Sequence, residues 1–323
     1  MANFLVTGGA GFIGSHIAET LLKAGHRVRI LDNFSSGRKE NILLLRKIAP
    51  GMLKVVPGDI RDQRTCARAV SGMDFIFHQA AQISVPASMN DPETTQEVNI
   101  KGTLNLLLAG KKAGIRRLVL ASSTAVYGDN LIEKEAKKPK TETLAPNPLS
   151  PYALSKLVGE YYCRLFSRTY GVSAVALRYF NVFGPRQDPG SEYAAVIPKF
   201  IVRLLRNQAP VIYGDGRQSR DFVFVGDVVR ANLLACRRQG IEGEVFNIAS
   251  GRSYNLLQLL GQLKKILRSD QNPVFEPARA GDIRYSSADV QKTRTLLGYE
   301  AKIPFSQGLL RTIEAMKRTG NLG

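Results

Sequence analysis

Short runs of β-branched and aliphatic residues alternate with longer amphipathic stretches through the first 180 residues. The runs at 3–7, 27–31, 53–57, 74–78, 116–121 and 173–178 read as strands, and the stretches at 12–24, 62–71, 94–113 and 151–170 as helices. A repeated strand–helix order builds a parallel sheet with helices on both faces, so the expected class is α/β, a doubly wound Rossmann sheet. Beyond residue 180 the rhythm loosens. Gly184-Pro185, Pro189-Gly190 and Gly214-Asp215-Gly216 punctuate the chain, while helical periodicity returns at 195–207, 227–238, 255–267 and 305–318. The expected division is a Rossmann domain over 1–180, rejoined by about 220–248, and a smaller mixed domain over 181–323.

Composition narrows this picture. With 323 residues, 44% of them hydrophobic, the chain can bury a large core. No apolar run approaches the roughly 18 to 20 residues of a membrane span. The start, Met1-Ala2-Asn3-Phe4, enters a strand at once without the regions of an export signal, which points to the cytoplasm. Cys66, Cys163 and Cys236 are widely spaced and read as buried thiols, and His16, His26 and His78 lack metal-site spacing, so no metal is expected. A net charge of +18 suits an anionic partner. The basic residues are dispersed, with no nucleic-acid-binding signature, which favours an anionic small molecule over nucleic acid. The densest basic patch, Lys134 to Lys140, falls in the Lys/Glu/Pro segment 133–143 and reads as a solvated loop.

Thr7-Gly8-Gly9-Ala10-Gly11-Phe12-Ile13-Gly14 follows the first strand and opens a helix, where glycines let backbone N–H groups approach a pyrophosphate. Two registers overlap, Gly9-x-Gly11-x-x-Gly14 and Gly8-x-x-Gly11-x-x-Gly14. Asp32, with Asn33 beside it, ends the second strand where a carboxylate can accept both adenosine ribose hydroxyls. That favours NAD over NADP, although Arg38 nearby could tolerate a 2′-phosphate. Asp59 and Ile60 at the third strand end are placed to flank adenine. Gln79, Ala80 and Ala81 at the fourth leave room for the cofactor, or simply allow close packing.

Tyr152 and Lys156 stand one helical turn apart on one face, a spacing that also recurs by chance. The context is richer: Ser122-Ser123-Thr124-Ala125-Val126-Tyr127-Gly128 ends the fifth strand, again on the ligand edge. The glycine turn, Asp32, His78 to Ala81, Asn99, Ser122 to Gly128, Tyr152 to Lys156 and Arg178 to Pro185 together resemble the extended short-chain dehydrogenase/reductases, NAD-dependent epimerases and dehydratases of nucleotide sugars. The resemblance spans nearly the whole chain. Ser84-Val85-Pro86, Tyr179 to Pro189 and Tyr193 to Pro198 make it most similar to the UDP-N-acetylglucosamine (UDP-hexose) 4-epimerase group.

The resemblance implies that Ser123, Tyr152 and Lys156 are catalytic, that Lys156 also meets the nicotinamide ribose, and that Asn99 and Tyr179 lie near the cofactor. It further implies that Ser84, Asn181, Arg220 and Arg279 hold substrate. Ser286 takes the pocket-wall position of a bulky tyrosine in epimerases confined to UDP-glucose and UDP-galactose, leaving room for an N-acetyl group. A tyrosine of pKa about 10 must drop about three units, about 4 kcal/mol, to serve as a base near neutrality. Lys156 and a positive nicotinamide can supply much of that. Similar dehydratases and decarboxylases carry an acid two residues before the tyrosine of the VYG motif, where this chain has Ala125, preceded by Thr124. The expectation is therefore 4-epimerisation of UDP-GlcNAc/UDP-GalNAc, with UDP-Glc/UDP-Gal as further substrates. A UDP-glucuronate 4-epimerase, a dehydratase or decarboxylase and a noncatalytic NAD-binding regulator are the rivals. Similar proteins form homodimers through a four-helix bundle, for which 94–113 and 151–170 are candidates, although their apolar stripes could equally be intrachain core.

Overall fold

The structure, a computed structural model, describes residues 1–129, 138–190, 195–278 and 283–319. Its centre is a seven-stranded sheet. In chain order the strands are β1 (Asn3–Thr7), β2 (Arg27–Asp32), β3 (Leu53–Pro57), β4 (Phe75–His78), β5 (Arg117–Ser123), β6 (Ala174–Tyr179), β7 (Asn181–Phe183), β8 (Val211–Tyr213), β9 (Ser219–Phe224), β10 (Val245–Ile248), β11 (Ser253–Asn255), β12 (Val274–Glu276) and β13 (Tyr285–Ser286). The large sheet runs β10-β6-β5-β4-β1-β2-β3, parallel throughout. Successive residues of β5 show why its run is continuously apolar. Leu118 and Leu120 face one core, Val119 and Ala121 the other, and all four are buried.

The helices are α1 (Phe12–Lys23), α2 (Lys39–Ile48), α3 (Gln63–Val70), α4 (Val85–Asn90), α5 (Pro92–Gln96), α6 (Gly102–Ala113), α7 (Pro151–Tyr170), α8 (Val196–Leu205), α9 (Val225–Arg237), α10 (Leu256–Leu267) and α11 (Phe305–Thr319). One face of the sheet buries Ile17, Leu21, Leu45 and Val228 from α1, α2 and α9. The other buries Cys66, Leu106, Leu107 and Phe166 from α3, α6 and α7. The stretch expected as one helix over 94–113 is instead α5, a π-turn at Glu97–Lys101 and α6. Helix α2 was not anticipated: its two inward apolar residues, Ile42 and Leu45, sit among charged neighbours and an exposed Leu43-Leu44 pair, which blurs the period.

A third core gathers Phe183, Phe200, Ile212, Phe222, Leu260, Phe305 and Leu309 around α8, α10, α11 and a small sheet. There β9 pairs with β7, β11 and β13, and β8 pairs with β12. Of segment 220–248, α9 and β10 pack with the large sheet, whereas β9 belongs to the small one.

Strand order reverses between β1 and β4, so the carboxyl ends of those two strands open a crevice, the place where ligands bind in such sheets. The two ends meet the glycine turn and Gln79-Ala80-Ala81.

Candidate active site

The glycine turn resolves its own register. Gly8 sits at φ +66°, and a Cβ there would lie 2.7 Å from the Ala80 nitrogen. A Cβ on Gly14 would meet the Gly8 carbonyl oxygen at 2.2 Å. Gly8, Gly11 and Gly14 thus form the tight strand-to-helix turn, with the Gly11 N–H donating to the Gly8 carbonyl at 3.1 Å. Gly9 serves packing, since a Cβ would press on Ile30 at 2.6 Å. Phe12 and Ile13 begin α1, whose N-terminus has no side-chain cap, so its first N–H groups are available to an anion.

Asp32 is buried beside that turn. Its Oδ2 accepts from the Ala10 N–H and its Oδ1 from the Phe34 N–H, both at 2.9 Å. Burial raises its carboxyl above the usual range, and the two backbone donors oppose that rise. Asn33 donates to Asp59 at 2.9 Å, and Arg61 grips the same carboxylate, fixing the third strand end. Ile60 is buried beneath Gly102, where a Cβ would clash at 2.6 Å. Arg38, the one argument for a 2′-phosphate, is paired with Asp188 at 2.6 Å. The cradle, the anchored carboxylate and the partnered arginine fit NAD.

The residues expected to be catalytic lie where β5 ends and α7 begins. Ser150 caps α7 by accepting from the Ala153 N–H at 3.1 Å, with Pro151 in its first turn, and this sets Tyr152 at the helix mouth. Tyr152 hydrogen-bonds with the Ser123 side chain, which opposes the rise that burial imposes on its phenol. Lys156 is buried, its Nζ 5.8 Å from the Tyr152 ring centre and donating to the Ala121 carbonyl at 2.9 Å. Burial lowers its ammonium to about 8.

Behind the centre, Ser122 donates to Glu160 at 2.5 Å, and Arg178 binds the same carboxylate through two nitrogens at 2.8 and 2.7 Å. A buried pair of this kind holds β5, β6 and α7 in one register, whatever its net worth to stability.

Asn99 lies in the π-turn, a distortion frequent at functional sites. Its amide donates to Ser155 at 2.9 Å and to the Gln82 carbonyl at 3.0 Å, tying α7 to the loop after β4. Tyr179 is buried and bonds Gln79 and Asn232. Gln82, Ser155 and Asn232 were absent from the expected set. Nothing in local spacing marks them, because each is defined by a partner distant in the chain.

Among the residues expected to hold substrate, Ser84 caps α4 by accepting from Ala87 at 3.0 Å. Asn181 is half-buried and donates to the Asp221 carbonyl at 3.4 Å. Arg220 and Ser286 are cross-strand neighbours, and Ser286 is buried. Asp221, also missed, anchors Ser250 and Gly251, and burial pushes its carboxyl up to about 6. Arg279 lies outside the described residues, as do Tyr193-Ala194 and most of the basic patch. Lys140 corrects the reading of that patch as solvated: it is buried. All three cysteines are free and buried. Among the described residues no metal-ligand cluster occurs, and no helix is long and apolar enough to cross a membrane.

Residues 4–249 match the family model described as the NAD dependent epimerase/dehydratase family. A UDP-glucose 4-epimerase of Mycolicibacterium smegmatis is 38% identical, covering 96% of this chain and 97% of its own. The crystal structure of a Thermotoga maritima UDP-glucose 4-epimerase with UDP-glucose is 40% identical, with a TM-score of 0.90, covering 98% of this chain and 99% of that one. A Methanobrevibacter ruminantium UDP-N-acetylglucosamine 4-epimerase, in complex with UDP-N-acetylmuramic acid, is 38% identical with a TM-score of 0.91 over 98% and 99% of the two chains.

Proposed function

The chain belongs to the NAD-dependent epimerase/dehydratase family, and on that premise we propose that it interconverts the C4 epimers of a UDP-hexose, UDP-GlcNAc and UDP-GalNAc first, with UDP-Glc and UDP-Gal as further substrates. One observation carries the reading: Ser123, Tyr152 and Lys156 converge beside the dinucleotide cradle, while the turn from Ser123 to Gly128 contains no acid. When bound, NAD supplies the hydride acceptor at C4 and a positive ring that favours the Tyr152 phenolate. Tyr152 takes the C4 hydroxyl proton as the carbinol becomes a ketone, and Ser123 hydrogen-bonds the same oxygen. Tyr152 returns that proton when the ketone is reduced on its other face, so the sugar shows no net oxidation. Thr124 and Ala125 provide no group to move a C5 proton, which argues against elimination.

Ser286 supports the acetamido reading, because a small buried side chain on the strand beside Arg220 leaves the wall open. Ser286→Tyr is expected to remove UDP-GlcNAc turnover while sparing UDP-Glc turnover. Equal loss on both would contradict the gate. UDP-glucuronate is the rival substrate, separated by incubating each UDP-sugar alone and resolving the products.

Leu154, Tyr161 and Leu165 are exposed along one face of α7, near the exposed Leu108 of α6. That stripe supports a homodimer in which two helices from each copy pack as a bundle.

A further inference from the structure

Lys140 is a buried cation to which the reaction above gives no task. Its side chain is 4% exposed, and among the described residues its Nζ donates one hydrogen bond, to the Gly128 carbonyl at 3.0 Å. The Tyr127 ring centre lies 5.7 Å away. Burial lowers the ammonium below the ordinary lysine range; the Asp129 carboxylate works against this and the Arg220 guanidinium adds to it.

Backbone register puts Lys140 where it is. It bridges Ala288 in parallel, its N–H donating to the Ser287 carbonyl at 2.9 Å and its carbonyl accepting from the Asp289 N–H at 3.0 Å. Two residues earlier on that segment, Ser286 pairs with Arg220. Lys140 and Arg220 therefore flank the 286–288 segment on its two sides, two residues out of register, and the bond to Gly128 ties the ammonium to the turn that begins at Ser123. A buried cation beside a half-buried one is repelled by it, and the arrangement becomes favourable when an anion lies against both.

We propose that Lys140 joins Arg220 in holding the diphosphate of the nucleotide sugar. The proposal rests on the UDP-sugar reading above and extends it: in a UDP-hexose the uracil and the sugar are neutral, so the diphosphate is the anion available to a buried ammonium.

The test is calorimetric titration of the NAD-loaded protein with UDP, in the parent and in Lys140→Met and Lys140→Gln. Glutamine retains a donor for the Gly128 carbonyl but carries no charge, and it decides the matter if the methionine variant does not fold. Loss of a charge-assisted contact predicts a UDP Kd raised about tenfold or more in either variant, a parallel rise in KM for UDP-GlcNAc, and kcat within about threefold of the parent. A UDP Kd within about twofold of the parent in Lys140→Gln overturns the proposal. It does so whether only kcat falls, which would make Lys140 a brace for the Ser123 turn, or only UDP-glucuronate binding weakens, which would assign it to a sugar carboxylate. A parent protein that binds no UDP overturns both this proposal and the reading beneath it.

Discussion

Tyr152 is a phenol that burial holds protonated and that Ser123 partly releases. The base role proposed for it thus depends on positive charge arriving beside it. Tyr152→Phe is expected to lower kcat by about 10² to 10⁴ with NAD content unchanged, measured by steady-state assay and cofactor release. Lys156 contributes in the opposite sense to stability. Its ammonium falls from 10.5 to about 8 in the folded protein, so below about 8 both states are charged and the fold carries the full desolvation cost. That cost disappears as pH rises from about 8 to 10.5, because the folded state releases its proton first. Lys156→Met should therefore raise the Tm of the cofactor-free protein at pH 7, by an amount on the order of 3 kcal/mol in stability, and leave it unchanged above pH 10.5, while abolishing turnover. At this scale the sequence was most informative for groups marked by a strand end or a helical spacing. Ser123 stands out by its strand end and Tyr152 with Lys156 by their spacing, while their catalytic roles are what the family resemblance implies; Lys140 did not stand out, because a lysine within a charged run looks solvated until its bridge to Ala288 is known.

Among the elements, the turn between β1 and α1 is the most constrained. Gly8→Ala needs a Cβ 2.7 Å from the Ala80 nitrogen at φ +66°, so neither backbone can yield cheaply. The variant is expected to fold with reduced Tm and to lose bound NAD, seen as loss of absorbance from the released cofactor; retention at the parent level would contradict the cradle. Strands β1 to β6 were legible to within two residues at either end, because residues buried on both faces leave unbroken apolar runs; β10, the seventh strand of the large sheet, was not named. The break of 94–113 into α5, a π-turn and α6 was not, since Asn99 is pulled there by Ser155 and Gln82 rather than by any local signal. Arg38 stood as a minor argument for a 2′-phosphate for the same reason: its partner Asp188 is far along the chain.

For the molecule as a whole, two buried histidines predict an acid limit. Burial lowers His78, held between Thr7 and Thr103, to about 3, and His16, against Arg186, to about 4. Both are neutral when folded and charge near 6.5 when unfolded. Their stabilisation is complete above about 6.5 and is lost as pH falls from there toward 4 for His16 and 3 for His78, with uptake of up to two protons on unfolding. Denaturant midpoints measured across that window should fall, and His16→Gln should reduce the slope by about one proton. The apolar face of Leu154, Tyr161 and Leu165 predicts that Tyr161→Asp with Leu165→Asp shifts the light-scattering mass from dimer to monomer. The sequence expects about 220–248 to rejoin the first domain without naming a strand there; the place of β10 at the edge of the large sheet is set by its pairing with β6. Epimerisation by return of the hydride to C4 is tested by incubating the protein with UDP-GlcNAc deuterated at C4. UDP-GalNAc of unchanged mass with the deuterium still at C4 is expected; loss of the label, or a product lighter by water, rules this reaction out.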